Sequence, residues 1–301
     1  MPEQGSKKRG LVYTYAMSPQ SALEFINASK HTQWMISAQY SGGEQGGAYQ
    51  VVVPAGTHAV LKINPNPMWI NEVKRAEAAT NHLKALGYPV PTYSVIESTD
   101  SGTYSLQSEL PGATVESPSV EGIADVVRLI ELQKDQLISE VQGQDWVWYI
   151  MNVVFRGESG NVRALMQFSA ETSALVSDIE SIVMGLDGKV IPKTDLVHGD
   201  MGLDQILFQG QVVSGILDWD QVGYGHRIID LAALWYSIVQ FEEPAASVMK
   251  QMLAISDPES IKICAAYKML SVVAWNINTV GGAVGAAAAQ ARAALRVLHK
   301  I

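Results

Sequence analysis

Two short apolar runs, Gln205-Ile206-Leu207-Phe208 and Val212-Val213-Ser214-Gly215-Ile216-Leu217, are separated only by Gln209-Gly210-Gln211, and a carboxylate stands outside each, Asp200 before and Asp218 after. Runs of this length around a glycine-containing turn predict a β-hairpin. A hairpin returns both of its ends to one edge, so Asp200 and Asp218 can face the same cleft although eighteen residues separate them. Asp200 lies in the turn His198-Gly199-Asp200, where a carboxylate can orient or deprotonate a hydroxyl; Asp218 ends the second run in Ile216-Leu217-Asp218-Trp219, where a carboxylate can hold Mg²⁺ against nucleotide phosphates. Taken singly, Asp200 reads as a turn residue and Asp218 as a helix cap. The pair at this spacing, followed by Asp230 in Arg227-Ile228-Ile229-Asp230-Leu231-Ala232, is a kinase-like layout.

The stretch LVHGDMGLDQILFQGQVVSGILDWDQVGYGHRIIDLA resembles the catalytic segment of the aminoglycoside phosphotransferase family, antibiotic kinases of the protein-kinase-like superfamily that also includes macrolide phosphotransferases. The resemblance implies an α+β, two-lobed protein-kinase-like fold, with a small β-rich N-lobe over 1–109 that binds nucleotide and a larger, mainly helical C-lobe over 110–301 that carries catalysis and the acceptor site. It implies transfer of the γ-phosphoryl group of ATP or GTP, with Mg²⁺, to a hydroxyl of a small molecule. Carried over residue by residue, Asp200 resembles the catalytic base, Asp218 the metal-binding acid, and Asp230 the structural acid that ties its helix to the catalytic turn. One position departs: the family has Asn five residues after the catalytic Asp, and this chain has Gln205. Gln offers the same amide oxygen on a stem one methylene longer, so Gln205 is a candidate metal ligand whose reach the departure puts in question. Macrolide kinases depart at the same place, so the change does not by itself argue for a dead enzyme.

A nucleotide-binding half should precede this segment. Met35–Tyr40 and Val51–Val53 read as strands around Ser41-Gly42-Gly43-Glu44-Gln45-Gly46-Gly47-Ala48-Tyr49-Gln50. Gly42, Gly43, Gly46 and Gly47 let backbone amides approach phosphate oxygens, although two glycine pairs between strands also make an ordinary hairpin loop. In the next strand, His58–Ile63, Lys62 points away from Leu61 and Ile63, toward solvent or a nucleotide. A helix expected over Trp69–Leu86 carries Glu72 and Glu77. Kinases pair the phosphate-binding lysine with a helix-borne Glu; the position relative to Pro89-Val90-Pro91 in the resembling family matches Glu77, with Glu72 as the alternative. The strand Tyr104-Ser105-Leu106-Gln107-Ser108-Glu109-Leu110 then ends in Pro111-Gly112, and the resemblance assigns Gln107, Ser108, Glu109 and Leu110 to the segment that joins the lobes and offers backbone groups to the base.

Charge and cysteine usage narrow the function classes. A formal net charge of −9 argues against a nucleic-acid binder, which needs basic patches, and suits a cationic acceptor better. No run of eighteen apolar residues and no apolar leader is present, so neither a membrane span nor a secretory signal is expected and the location is taken as cytoplasmic. The polar start, Met1 to about Gly10, reads as a tail. The single Cys264 excludes an intrachain disulfide and reads as a small core hydrophobe. Six histidines lack metal-ligand spacing; His198 reads as a structural part of the catalytic turn and His31, His58, His82, His226 and His299 as surface or loop residues.

Apolar stripes predict helices over Val120–Val141, Glu171–Leu186 and Asp230–Phe241, and the Ala-rich segments Pro258–Val280 and Ala286–Leu298 read as helices broken at Val280-Gly281-Gly282. The segment between the lobe junction and the catalytic turn is where the resembling family builds its acceptor site. Here it holds Glu140, Asp145, Trp146 and Trp148, aromatic faces and carboxylates that suit a sugar or a cationic ring, or else helical core packing. Trp275, Asn276, Asn278, Asp220, Tyr224 and His226 are further acceptor candidates. The expected acceptor is an antibiotic (an aminoglycoside, a macrolide or a cyclic peptide); the alternatives are a metabolic kinase of a choline-like or sugar-like alcohol and a nucleotide-binding pseudokinase. The chain is expected to act as a monomer or a homodimer.

Overall fold

Burial alternates residue by residue along His58–Asn64, and in the computed structural model this segment is the central strand of a five-stranded sheet. The structure describes residues 18–40, 47–157, 160–279 and 282–301. The chain folds as two units: the first runs to Lys74 and resumes over Tyr93–Glu109, and the second comprises Arg75–Thr92 and Leu110–Ile301.

The first unit opens with α1 (Pro19–Lys30), whose N-terminus is capped by the Ser18 hydroxyl accepting from the Ser21 N–H. Then follow β1 (Met35–Gln39), β2 (Ala48–Val52) and β3 (His58–Asn64). A single-turn 3₁₀ segment, Pro67–Trp69, leads into α2 (Ile70–Ala85), which starts in this unit and continues in the second. Next come β4 (Tyr93–Thr99) and β5 (Gly102–Ser108). The sheet is antiparallel throughout, in the order β1-β2-β3-β5-β4. Ala22, Leu23 and Ile26 of α1 share one apolar cluster with Val51, Leu61, Ile63, Val95, Tyr104 and Leu106, so the helix covers one face of the sheet. The β-strand period of two puts Leu61 and Ile63 into that cluster and turns Lys62 to the opposite face.

The second unit is mainly helical. It contains α3 (Val120–Glu131), α4 (Trp146–Arg156), α5 (Asn161–Phe168) and α6 (Ala170–Val183). Two antiparallel pairs follow, β6 (Asp195–Val197) with β9 (Gly223–Gly225) and, inserted between them, the hairpin of β7 (Ile206–Gln209) and β8 (Val212–Ile216). Helices α7 (Ile228–Ser237), α8 (Glu242–Ile255), α9 (Pro258–Asn278) and α10 (Val284–Leu298) complete it. Helix α9 is the hub: it packs against every one of α4 to α8 and α10. Ile261, Ile263, Cys264, Ala265, Ala266, Met269, Leu270, Val273 and Ala274 of α9 are buried, which is why its apolar residues follow no single stripe. Among the described residues no helix is long and apolar enough to cross a membrane.

The helix expected over Val120–Val141 stops at Glu131, and only a 3₁₀ turn, Ser139–Val141, forms beyond it. Asp135 takes a positive φ of 58°, and its N–H donates to the Asp195 carboxylate at 3.1 Å, so a tertiary anchor pulls the chain out of helical geometry. Cys264 is a buried core residue, and burial pushes its thiol up to about 12. His226 is buried rather than exposed, its Nδ1 accepting from the Ile228 N–H at the start of α7.

Candidate active site

The catalytic turn is fixed from three sides, all within the second unit. After β6 the backbone passes through Gly199 at φ +88°, a region only glycine enters without strain. A Cβ at this position would also collide with the indole of Trp146. The indole is immobilised in turn, its Nε1–H donating to the Gln221 carbonyl at 2.9 Å and its ring packing edge-on against Tyr149 and Tyr267. On the second side stands Asp230 in the first turn of α7, whose carboxylate accepts from the His198 N–H at 2.7 Å and the Gly199 N–H at 2.9 Å. Asp230 is wholly buried, and desolvation pushes its carboxyl above the ordinary range despite those two bonds.

The third anchor is the His198 ring. Nε2 lies 2.7 Å from the Leu217 carbonyl oxygen, which only accepts, so the proton sits on Nε2; Nδ1 accepts from the Asp200 N–H at 3.2 Å. Packed edge-on to Trp219 at 4.6 Å, the ring ties the Asp200 turn to the last residue before Asp218. The hairpin closes the constellation, with the Leu217 N–H donating to the Gln205 carbonyl at 2.9 Å. Asp200, Gln205 and Asp218 are thus gathered at one end of the β7–β8 hairpin.

Each of the three has a distinct setting. Asp218 holds φ 58° and ψ 58°, a left-handed conformation that costs a non-glycine residue about 1–3 kcal/mol and recurs where function demands a side-chain direction. Gln205 donates its amide Nε2–H to Asp204 Oδ2 at 2.9 Å, which orients the amide and leaves Oε1 as the acceptor end. Asp200 Oδ1 meets Lys268 Nζ of α9 at 2.6 Å. Burial raises the Asp200 carboxyl, but the Lys268 ammonium outweighs it and holds the group below the ordinary carboxylate range. The neighbouring Asp204 is pushed up, by desolvation first and then by the charge of Asp200. Neither Asp204 nor Lys268 announced itself in the sequence: Asp204 reads as a loop acid, and Lys268 sits in an apolar helix sixty-eight residues from its partner. Among the described residues no group of three or more His, Cys, Asp or Glu side chains could enclose a metal.

The residues expected to hold nucleotide lie mainly on the first unit. Gly42, Gly43 and Gly46 fall outside the described residues; Gly47, at φ +97°, leads directly into β2. Lys62 is half-buried in the middle of β3. Gln107 is buried in β5, its amide donating to Ser105 Oγ, and Ser108 ends the strand. The Glu109 carboxylate receives the Tyr40 hydroxyl at 2.5 Å and the Gln50 amide at 2.8 Å, which ties the end of β5 to the far side of the sheet. Leu110 is where the chain re-enters the second unit after β5. On α2, Glu77 is half-buried, and Glu72 Oε2 is buried without a hydrogen-bond partner among the described residues.

The acceptor candidates divide. Trp146 belongs to the core under the catalytic turn, whereas Trp148 is 57 % and Trp275 44 % exposed. Asp145 caps α4 through the Trp148 N–H, and its other oxygen takes Lys193 Nζ and the Tyr224 hydroxyl, so its charge is committed within the fold. Asn276 is likewise engaged, accepting from the Ala283 N–H and donating to the Val272 carbonyl.

The fold, a five-stranded antiparallel sheet followed by a mainly helical unit, is shared with kinase-like phosphotransferases. Residues 174–262 match the model of the phosphotransferase enzyme family. Viomycin phosphotransferase of Streptomyces vinaceus is 26% identical over 213 residues, 62% of this chain and 67% of that protein. An aminoglycoside 3'-phosphotransferase of Escherichia coli is 31% identical over 72 residues, 24% of this chain, and the match spans only 27% of that relative's length. Among solved structures, the apo form of a thermostable mutant of aminoglycoside phosphotransferase APH(4)-Ia superposes with a TM-score of 0.70 at 17% identity, covering 91% of this chain and 98% of that one. The same enzyme has been crystallised as a ternary complex with ADP and hygromycin B. Over residues 174–262 the chain is similar to the phosphotransferase enzyme family, and over most of its length it shares the fold of an aminoglycoside phosphotransferase. The relatives are antibiotic phosphotransferases, which supports a small-molecule O-phosphotransferase.

Proposed function

We propose that this protein transfers the γ-phosphoryl group of ATP or GTP to a hydroxyl of a small-molecule antibiotic, and so confers resistance. The observation that carries the reading is the triple anchoring of the Asp200 turn, by Asp230, by His198 and by the steric demand at Gly199, beside Gln205 and Asp218. A turn carrying a carboxylate that served only solubility would not be held by a buried acid and a histidine bridging to the next strand.

In this reading Asp200 accepts the hydrogen bond of the acceptor hydroxyl and takes its proton as the bond to phosphorus forms; its depressed carboxyl is ionised at neutral pH and can do so. Asp218 and the Oε1 of Gln205 are the groups that would hold Mg²⁺, a hard cation that takes oxygen ligands. Held there, Mg²⁺ would supply positive charge against the phosphates. Lys62 holds the nucleotide's phosphates, with Glu77, or else Glu72, fixing its ammonium. Gly42, Gly43, Gly46 and Gly47 cover the phosphates with backbone amides, and the backbone of Gln107–Leu110 receives the base. Catalysis is then alignment plus charge neutralisation.

The antibiotic class is supported by the relatives alone: viomycin and aminoglycoside phosphotransferases are similar in sequence, and a macrolide phosphotransferase is similar in fold. The test is nucleotide turnover by the full chain against a panel of cyclic-peptide, aminoglycoside and macrolide antibiotics and choline-like alcohols. Phosphorylation of an antibiotic that disappears in Asp200→Asn and Asp218→Ala is the expected result. Turnover with alcohols alone makes it a metabolic kinase, and tight nucleotide binding with no turnover makes it a pseudokinase.

A further inference from the structure

We infer that Lys268 is a positioning residue for phosphoryl transfer: from α9 it grips Oδ1 of Asp200 and thereby presents Oδ2 to the acceptor hydroxyl. The inference rests on the phosphotransferase reading above and adds to it a residue from outside the catalytic segment.

Three observations support the assignment. Lys268 Nζ lies 2.6 Å from Asp200 Oδ1, a charge-assisted distance, and the lysine side chain is only 13% exposed while Asp200 is 49% exposed. A long cation turned inward to meet an acid that itself faces outward is the reverse of a surface ion pair, in which both ends are wet and the contact is worth little. Secondly, the lysine is braced. It follows Tyr267, whose ring packs edge-on against Trp146 and Tyr149, and it precedes the buried Met269 and Leu270, so its backbone belongs to the same rigid assembly that closes around Gly199. Thirdly, the Asp200 carboxylate has no other charged donor on its own loop: the turn contributes only the His198 ring, already committed to Leu217 and the Asp200 N–H, while Asp204 is a second acid close by. Without Lys268, two carboxylates would crowd one loop with no cation between them. The lone acid at the end of a flexible side chain would then be free to rotate about χ1 and χ2, and misplacement of about 1 Å can cost about 100-fold in rate.

Structural roles alone make a different prediction. If Lys268 only stabilised the fold, its loss would lower stability and leave kcat of the folded enzyme intact.

The experiment compares Lys268→Met and Lys268→Arg in the full chain, with and without Asp200→Asn. It measures kcat, the KM for nucleotide and unfolding midpoints in urea, using the acceptor found by the panel or water as the acceptor for slow nucleotide hydrolysis. Lys268→Met should lower kcat by about 100-fold, with the nucleotide KM within about twofold because the lysine's ammonium is engaged by Asp200. Lys268→Arg should recover kcat to within about tenfold of wild type, since a charged donor remains, with altered geometry. In the Asp200→Asn background the Met substitution should be nearly silent in single-turnover rate, because residues acting as a unit are not additive. The urea midpoints report the pair without any turnover: the two substitutions should couple, the double variant losing less than the sum of the singles.

Wild-type turnover with a Lys268→Met kcat within about threefold of it overturns the inference and leaves the phosphotransferase reading standing. So does a Met effect that persists undiminished in the Asp200→Asn background, or additive urea midpoints. No turnover by wild type with any acceptor or with water overturns both. Should Lys268→Met fail to fold, Lys268→Arg carries the test, and an Arg variant as slow as Asp200→Asn counts against the inference.

Discussion

Removing the Asp230 carboxylate should unfasten the catalytic turn, and the size of the effect follows from its two bonds. In Asp230→Ala the buried His198 and Gly199 N–H groups, now 2.7 and 2.9 Å from nothing, lose their acceptor. Each buried N–H left unsatisfied costs about 1–3 kcal/mol, so the pair amounts to about 2–6 kcal/mol before any cavity is counted. Against this stands a relief: the raised Asp230 carboxyl shows that the buried charge is itself unfavourable, and Ala removes it. The expected loss is therefore in the lower half of that range, about 2–4 kcal/mol. Asp230→Asn separates the contributions. Its single amide oxygen can accept from one N–H, while its NH₂ faces the other donor, so it should lose about half as much stability. Both variants should lose at least about tenfold in kcat, since the turn that aims Asp200 is free on one side. Urea unfolding gives the stability and steady-state turnover the rate. If Asp230→Ala loses under about 1 kcal/mol and keeps kcat within twofold, water or a rearranged backbone satisfies both amides and the turn is not held by this acid.

Gly199→Ala should abolish soluble expression or activity, because the new Cβ meets the Trp146 ring in a left-handed backbone conformation; a folded variant with near-normal turnover would show that the turn relaxes without penalty. Gln205→Asn should be tolerated, and Gln205→Leu, which keeps bulk and removes the amide oxygen, should raise the Mg²⁺ concentration needed for half-maximal turnover about tenfold or more; an unchanged Mg²⁺ titration makes Gln205 a loop residue only. The pH dependence centres on Asp195: burial raises its carboxyl, but the Arg227 and Asp135 N–H groups, the Thr194 hydroxyl and the Arg227 guanidinium outweigh that and hold it below 3.8. A depressed carboxyl contributes stability that is present above 3.8 and lost as pH falls through its folded value. Arg227→Met should accordingly bring the acid-unfolding midpoint to higher pH and cost about 3–5 kcal/mol at neutral pH, as breaking a buried pair does; an unmoved acid transition would refute the assignment.

What the sequence determined by itself was everything that depends on neighbours in the chain. The hairpin of β7 and β8, its turn at Gly210, and the placing of Asp200 and Asp218 at one end of it follow from local apolar runs and turn chemistry. So does the direction of Lys62 in β3, which a period of two dictates. Helices α6 and α7 were legible as apolar stripes, and α9 and α10 as Ala-rich helical segments, to within a few residues. Non-local contacts decided the rest, and no local pattern encodes them. Helix α3 ends at Glu131 because the N–H of Asp135 is captured by Asp195, sixty residues beyond Asp135. Trp146 is core and Trp148 is exposed although only one residue separates them, because Gly199 and Gln221 come from elsewhere to cover the first. The two short strands β6 and β9 are each three residues long, too short to show a period, and exist because they find each other. Lys268 reads as a stray charge in an apolar helix until the tertiary fold lays α9 against the catalytic turn and gives it Asp200. Chemistry carried by a motif survives in one dimension; a charge that acts through a partner sixty-eight residues away exists only once the chain has folded.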